Sequence, residues 1–303
     1  MLKRVEDFFR KELPFIFVCP ALLWQALFLY IPLGILFFYS VLEVSPDGTF
    51  VFTLKFYKNI LQPFSLKILG NSFLLAVQTS VLCLLIAYPL AYFLTFKIKR
   101  FRTFFLLLVI LPSWTSWIVQ IYAWFFLLKR DGSLSQLLYN IGIFSQPTHM
   151  LNNYFAVLIG MVYCYMPFMV LPIYAVLEKV DKRLLEASSD LGASRWMTIK
   201  RVIFPMSSHG VIAGLFLVFI PSFGEFAIPE FLGGSKNLFW GNVIVSKFLD
   251  YRDWQTGSAA TYSGLLLPAL LIIVLYFVVK FLRRVMARPI EIARGTIRRG
   301  GNG

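Results

Sequence analysis

The chain of 303 residues is 58% hydrophobic and only 15% charged, contains 32 Phe, and carries a formal charge of +14; its mean hydropathy is +0.73. That balance excludes a water-soluble core and marks an integral membrane protein. The basic excess does not imply nucleic acid, because membrane proteins concentrate Lys and Arg in the loops on one side, and no DNA or RNA motif occurs.

Crossing a hydrocarbon layer of roughly 30 Å takes about 20 helical residues. Six uncharged runs are long enough: 13–42, 68–96, 103–128, 151–177, 202–224 with its continuation to 229, and 254–279. Their interiors show no two-residue alternation, which predicts helices rather than barrel strands. The first run follows Lys3, Arg4, Arg10 and Lys11. It exceeds the about 7–15 apolar residues of a signal peptide and lacks a small-residue cleavage site, so it reads as a retained first span. The expected fold class is an all-α integral membrane protein with six transmembrane helices. An N-terminal segment 1–12 precedes a six-span domain 13–283, and a tail 284–303 follows.

Lys and Arg set the orientation. Four lie in the N-terminus, four at 97–102, six at 178–201 and seven from Lys280 onward, whereas the other three connections hold three, two and three. Positive loops stay in the cytoplasm, which puts both termini there. Cys19, Cys83 and Cys164 fall inside spans without metal or redox spacing and read as buried apolar fillers. His149 and His209 have no partner at metal-ligand spacing, so no metal site is expected. No nucleotide-binding loop, nucleophile elbow or metalloprotease motif occurs, and the chain is not expected to be an enzyme.

The connection between runs four and five is polar and helix-prone. Acids and bases from Glu178 to Asp190 predict a first short helix, Gly192 interrupts it, and residues 193–205 predict a second helix ending at Pro205. Such a helix, hinge and helix forms a knob that a soluble partner could grip; an amphipathic loop lying on the bilayer is the other reading.

Within the spans, Glu225 is the one ionisable side chain set among apolar neighbours. A carboxylate there is a candidate functional group, expected in the outer third of a continuous fifth helix. The alternatives are snorkelling to the interface or capping backbone freed by Pro221 and Pro229. On the third run Ser113, Ser116 or Trp117, Gln120 and Trp124 recur at helical spacing and form one polar and aromatic stripe. With Glu225 this stripe suits an alkylammonium group through charge pairing and cation–π attraction, and interfacial Trp is the competing reading. Tyr163 and Tyr174 on the fourth run share the path or merely pack. A proton-coupled carrier needs more buried ionisable groups or inverted repeats, and a channel needs a filter loop or an Arg ladder.

The connecting loop resembles the Glu-Ala-Ala loop of permease subunits of ATP-binding-cassette importers. Glu186, Ala187 and Ser188 stand for the triplet, with Ser in place of the second Ala, Asp190 and Gly192 follow, and Val202, Phe204 and Pro205 close the motif. Over nearly the whole chain, "LPSWTSWIVQIYAW" (111–124), "MPFMVLPIY" (166–174), "FIPSFGEFAIPEFLGG" (219–234) and "RDWQTGSAA" (252–260) are similar to the polyamine branch of that family, with Gln120 standing where the putrescine type carries a basic residue. The resemblance implies a bacterial inner-membrane permease subunit that forms half of a pathway for putrescine or spermidine, with ferric iron, opines or other small organic compounds carried by related permeases. It implies a coupling loop at 183–205 that inserts into a separate cytoplasmic ATPase dimer, which holds the ATP and Mg, and so no cofactor in this chain. A second permease subunit and an extracytoplasmic polyamine-binding protein complete the implied set of partners.

Overall fold

The computed structural model describes residues 18–273 except 46, 99, 144, 147, 235, 236, 267, 271 and 272. The predicted N-terminal segment, the tail 284–303, and the ends of the first and sixth runs lie outside the described residues. Among the described residues, four helices are long and apolar enough to cross a membrane, or five when one bent pair is taken as a single span.

The described chain falls into two compact units. Residues 61–252 form the larger. Helix α3 (Pro63–Phe96), helix α7 (Tyr154–Leu177) and helix α9 (Arg195–Phe223) pack against one another at its centre. Between α3 and α7 come the bent pair α4 (Arg102–Trp114) and α5 (Trp117–Leu128), then the short α6 (Ser133–Asn140). Helix α8 (Lys182–Asp190) links α7 to α9, and α10 (Trp240–Leu249) closes the unit.

In lipid, apolar surface gives helices no reason to associate, so close approach through small residues and interhelical hydrogen bonds take over. The buried face of α3 accordingly carries Ser72, Ala76, Thr79, Ser80, Cys83, Ala87 and Ala91. Gly210 and Gly214, one turn apart on α9, admit the backbone of α7: a Cβ on Gly210 would sit 2.7 Å from the Pro172 carbonyl oxygen and 3.1 Å from the Ile173 Cα. Tyr154 donates to Gln78 Oε1 (2.7 Å), and the Tyr88 and Ser207 hydroxyls lie 3.0 Å apart. At one end of the bundle Arg102 pairs with Glu178 (2.9 Å) and covers the Tyr174 ring at 4.7 Å, tying the start of α4 to the end of α7.

The smaller unit holds α1 (Val18–Val41), a hairpin of β1 (Leu42–Val44) and β2 (Phe50–Phe52), and α2 (Lys55–Ile60). The strands are antiparallel, with Glu43 opposite Val51, and Lys55 bridges to Glu43 at 3.0 Å. This ribbon adds a small strand element to the otherwise helical chain. Residues 254–266, 268–270 and 273 are the described part of the sixth run, where the Tyr262 hydroxyl donates to the Leu33 carbonyl at 2.6 Å. Cys83 and Cys164 are buried as expected, but Cys19 is exposed, because α1 shows no buried residue before Ser40.

Two helix boundaries correct the sequence reading. The third run is not one helix: its arms Arg102–Trp114 and Trp117–Asn140 diverge by 95°, since Pro112 supplies no N–H and Thr115 and Ser116 are extended. The second helix of the connecting loop does not end at Pro205. A π turn, Ile199–Ile203, shifts the hydrogen-bond register and carries α9 on past the proline. A similar π turn, Ala26–Tyr30, precedes Pro32.

Gly210→Val is expected to lower the stability of the detergent-solubilised protein by about 1–3 kcal/mol through overpacking. Gly70→Val, whose Cβ meets nothing within 4 Å, serves as the control. Equal unfolding midpoints for the two variants would remove the close-approach account of the α7–α9 contact.

Candidate functional site: a carboxylate at a helix break and a capped helical loop

Two places in the larger unit gather the residues singled out from the sequence. The first is the end of α9. The helix stops at Phe223, with Gly224 as its cap, because Pro221 removes a ladder donor and glycine is a poor helix former. Glu225 therefore lies in a break, not in the outer third of a continuous helix, and the run does not stay regular to 229. Its Oε1 accepts from the backbone N–H groups of Ala227 (2.9 Å) and Ile228 (3.3 Å). Its Oε2 accepts the Tyr165 hydroxyl at 2.8 Å. The capping alternative is thus realised, yet the side chain is only half-buried, and among the described residues no cation pairs with it.

The tyrosine that holds this carboxylate belongs to one of two aromatic pairs between α5 and α7. Trp117 at the start of α5 meets the Tyr165 ring edge-on at 5.2 Å. One heptad later Trp124 meets Tyr163 at 5.5 Å in the same manner, so two successive Trp on α5 are answered by two Tyr on α7. Edge-to-face pairs of this kind fix ring orientation beyond what area burial supplies.

The predicted stripe is divided by the break in the third run. Ser113 stays with α4, where its hydroxyl donates to the Ile110 carbonyl at 2.6 Å. Gln120 is buried, and its amide nitrogen donates to the carbonyls of Pro112 (2.7 Å) and Thr115 (3.3 Å). Gln120 thereby clasps the break, while Trp117 pairs with Tyr165 and Trp124 with Tyr163. Tyr174 lies apart, beneath Arg102. His149 and His209 are exposed, and the described residues contain no cluster of potential metal ligands.

The second place is the loop between α7 and α9. Asp181 caps α8 by accepting from the Arg183 N–H at 3.0 Å. The helix closes on Gly192, whose φ of +75° suits a residue without Cβ. The Gly192 N–H donates to the Ser189 carbonyl (2.9 Å) and the Ala193 N–H to the Ser188 carbonyl (3.1 Å), a paired C-terminal cap. Ser194 then caps the next helix through the Met197 N–H at 3.3 Å. The hydroxyls of Ser188 and Thr198 meet across the turn at 2.9 Å, so the serine that departs from the resembled triplet locks the angle between the two helices. Glu186, Ala187 and Asp190 are exposed, as are Leu191 (88%) and Trp196 (72%). Pro205 lies beyond this elbow, inside the continuous helix.

Residues 84–291 match the model of the family described as binding-protein-dependent transport system inner membrane component. The chain belongs to this family. It is a multi-pass transport permease, and it is 40% identical over 263 residues to the spermidine/putrescine transport system permease protein PotB of Haemophilus influenzae, covering 86% of this chain and 92% of that one. It is 37% identical over 254 residues to the protein of the same name from Escherichia coli, covering 83% and 92%. Among solved structures, a chain of a bacterial ATP-binding-cassette transporter involved in the import of the acidic polysaccharide alginate superposes with a TM-score of 0.70 at 17% identity, covering 93% of this permease and 99% of that chain. At that identity the likeness is one of fold.

Sequence reading missed Tyr165 as a functional neighbour. A signal existed: Val157, Met161, Cys164, Tyr165, Met169 and Ile173 form the buried face of α7, and a tyrosine on such a face needs a partner for its hydroxyl.

Gln120→Leu is expected to cost about 1–3 kcal/mol, because it removes the donor of the Thr115 carbonyl and leaves that of Pro112 with only the Thr115 N–H and hydroxyl. Thermal unfolding of the purified permease in detergent measures it, and an unchanged midpoint would show that the clasp does not hold the break.

Proposed function

We propose that this permease is one subunit of an ATP-driven polyamine importer in a bacterial inner membrane, and that its cargo passes Glu225. The observation that carries the reading is a half-buried carboxylate, without a cationic partner among the described residues, held by the hydroxyl of Tyr165, whose ring packs against Trp117. An alkylammonium group is complementary to both features: its charge pairs with the carboxylate, and its desolvation is offset by the aromatic surroundings at about 0.5–2 kcal/mol per cation–π contact. The relatives named above for spermidine and putrescine support the same class of cargo. Trp124 and Tyr163 extend the aromatic surface, whereas Gln120 serves the path by holding the break that turns Trp117 towards Tyr165.

In this reading the loop 183–205 is the coupling element. Glu186, Ala187, Ser188, Asp190 and Gly192 form a rigid elbow whose exposed Leu191 and Trp196 offer apolar anchors to a cytoplasmic ATPase. ATP and Mg belong to that partner. The unequal distribution of Lys and Arg supports cytoplasmic termini. Six spans enclose half of a pathway, so a second permease subunit supplies the other half, and an extracytoplasmic binding protein delivers the amine.

Two measurements test the proposal. With the partner permease, ATPase and binding protein in vesicles, Glu225→Gln is expected to cut ATP-dependent uptake of radiolabelled putrescine and spermidine at least tenfold while the complex still assembles. Undiminished uptake would make the carboxylate a backbone cap alone. Gly192→Pro, which forces φ to about −65° where +75° is needed, is expected to abolish retention of the ATPase without affecting membrane insertion. Normal co-purification of the ATPase would count against the coupling role.

A further inference from the structure

The Glu225 carboxylate has about four lone-pair sites, and three are committed: two on Oε1 to the N–H groups of Ala227 and Ile228, and one on Oε2 to the Tyr165 hydroxyl. Those donors come from two independent elements. Oε1 is fixed to the backbone just after the break, and Oε2 is fixed to α7, a helix at the centre of the unit. With only the first anchor the carboxylate could still turn about its terminal bond, a torsion with broad wells. With both, its plane is set, and the remaining lone pair of Oε2 faces a single direction.

Tyr165 is well placed to impose that direction. It is 3% exposed, and its ring is held edge-on by Trp117 at 5.2 Å and flanked by Phe168 at 6.3 Å. On the other side of the break, Gly241 at the start of α10 lets the backbone carbonyls of Gly224 and Glu225 approach so closely that a Cβ there would lie 2.7 Å from the Glu225 oxygen. The segment carrying Glu225 is therefore braced from behind by α10 and held at its side chain by α7.

We propose that Tyr165 is a positioning residue for cargo recognition: its hydroxyl aims Oε2 of Glu225 at a primary ammonium group of the substrate. The inference rests on the cargo reading of Glu225 and goes beyond it, by assigning a role to a residue that need not touch cargo. It also explains why a tyrosine, rather than the phenylalanine common elsewhere in this chain, occupies a buried position against a tryptophan. Phenylalanine would fill the same volume and keep the ring pair, but it would leave one carboxylate oxygen unheld.

The test is a double-mutant cycle on the assembled importer in vesicles, with KM and maximal rate measured for radiolabelled putrescine and for spermidine. Tyr165→Phe keeps the ring, so folding and assembly are retained. It is expected to raise KM for both amines about tenfold while the maximal rate stays within about twofold, the pattern of lost substrate binding without lost turnover. In a Glu225→Gln background the same substitution is expected to add less than about twofold, because the group it aims has already been neutralised. A wild-type KM for Tyr165→Phe, with KM raised in Glu225→Gln, would overturn the positioning role and leave the cargo reading of Glu225 standing. A wild-type KM in Glu225→Gln would overturn that reading and the positioning role with it. Equal losses for Tyr165→Phe in both backgrounds, or a fall confined to maximal rate, would make Tyr165 a packing residue and overturn the proposal.

Discussion

The larger unit depends on one constraint: inside a bilayer no water satisfies a backbone N–H or C=O, so wherever a helix is interrupted the freed groups must find partners within the protein. The chain meets that demand with side chains at two breaks. At the bend between α4 and α5, Gln120 donates to the carbonyls of Pro112 and Thr115, the Thr115 hydroxyl also donates to that of Pro112, and the Ser113 hydroxyl takes that of Ile110. At the end of α9, Glu225 accepts the N–H groups of the segment that follows. At Pro32 and Pro205 a π turn just before the proline absorbs the missing donor.

These repairs determine what the site can be. An amide suffices at the first break, because carbonyls need donors; the second needs an acceptor, and the acceptor present is a carboxylate. Its charge exceeds what capping requires, and the surplus makes the position chemically useful to a cation. Small residues on α3 and glycines on α9 then draw the helices close enough for α7 to bring Tyr165 to the carboxylate and for the Trp117 and Trp124 rings to find their tyrosines.

The loop between α7 and α9 follows different physics, since it lies outside the apolar runs. Its angle is set locally, by an aspartate cap, a left-handed glycine and a serine cap, and then fixed by the Ser188–Thr198 contact. Capping signals of this kind are short-range, and for that reason Gly192 could be recognised as the interruption from the residues alone. The extent of the second helix was not legible. Whether Pro205 ends a helix or is bridged by a π turn depends on how the carbonyls before it are satisfied, which the proline itself does not reveal.

Hydropathy, charge distribution and the spaced motif of the loop determined the class of protein, the positions of the long spans α3, α7 and α9, and Glu225 as the residue out of place among apolar neighbours. These are one-dimensional properties: the transfer free energy of a segment and the capping preference of a residue belong to the sequence itself. The tertiary structure decided the 95° bend within the third run, the division of its polar stripe, the position of Glu225 at a break, and its pairing with Tyr165. The pairing with Tyr165 joins groups 60 residues apart, which only packing brings within hydrogen-bond reach, and the bend and the break depend on which nearby donor meets which acceptor once the helix stops, which residue type alone does not specify.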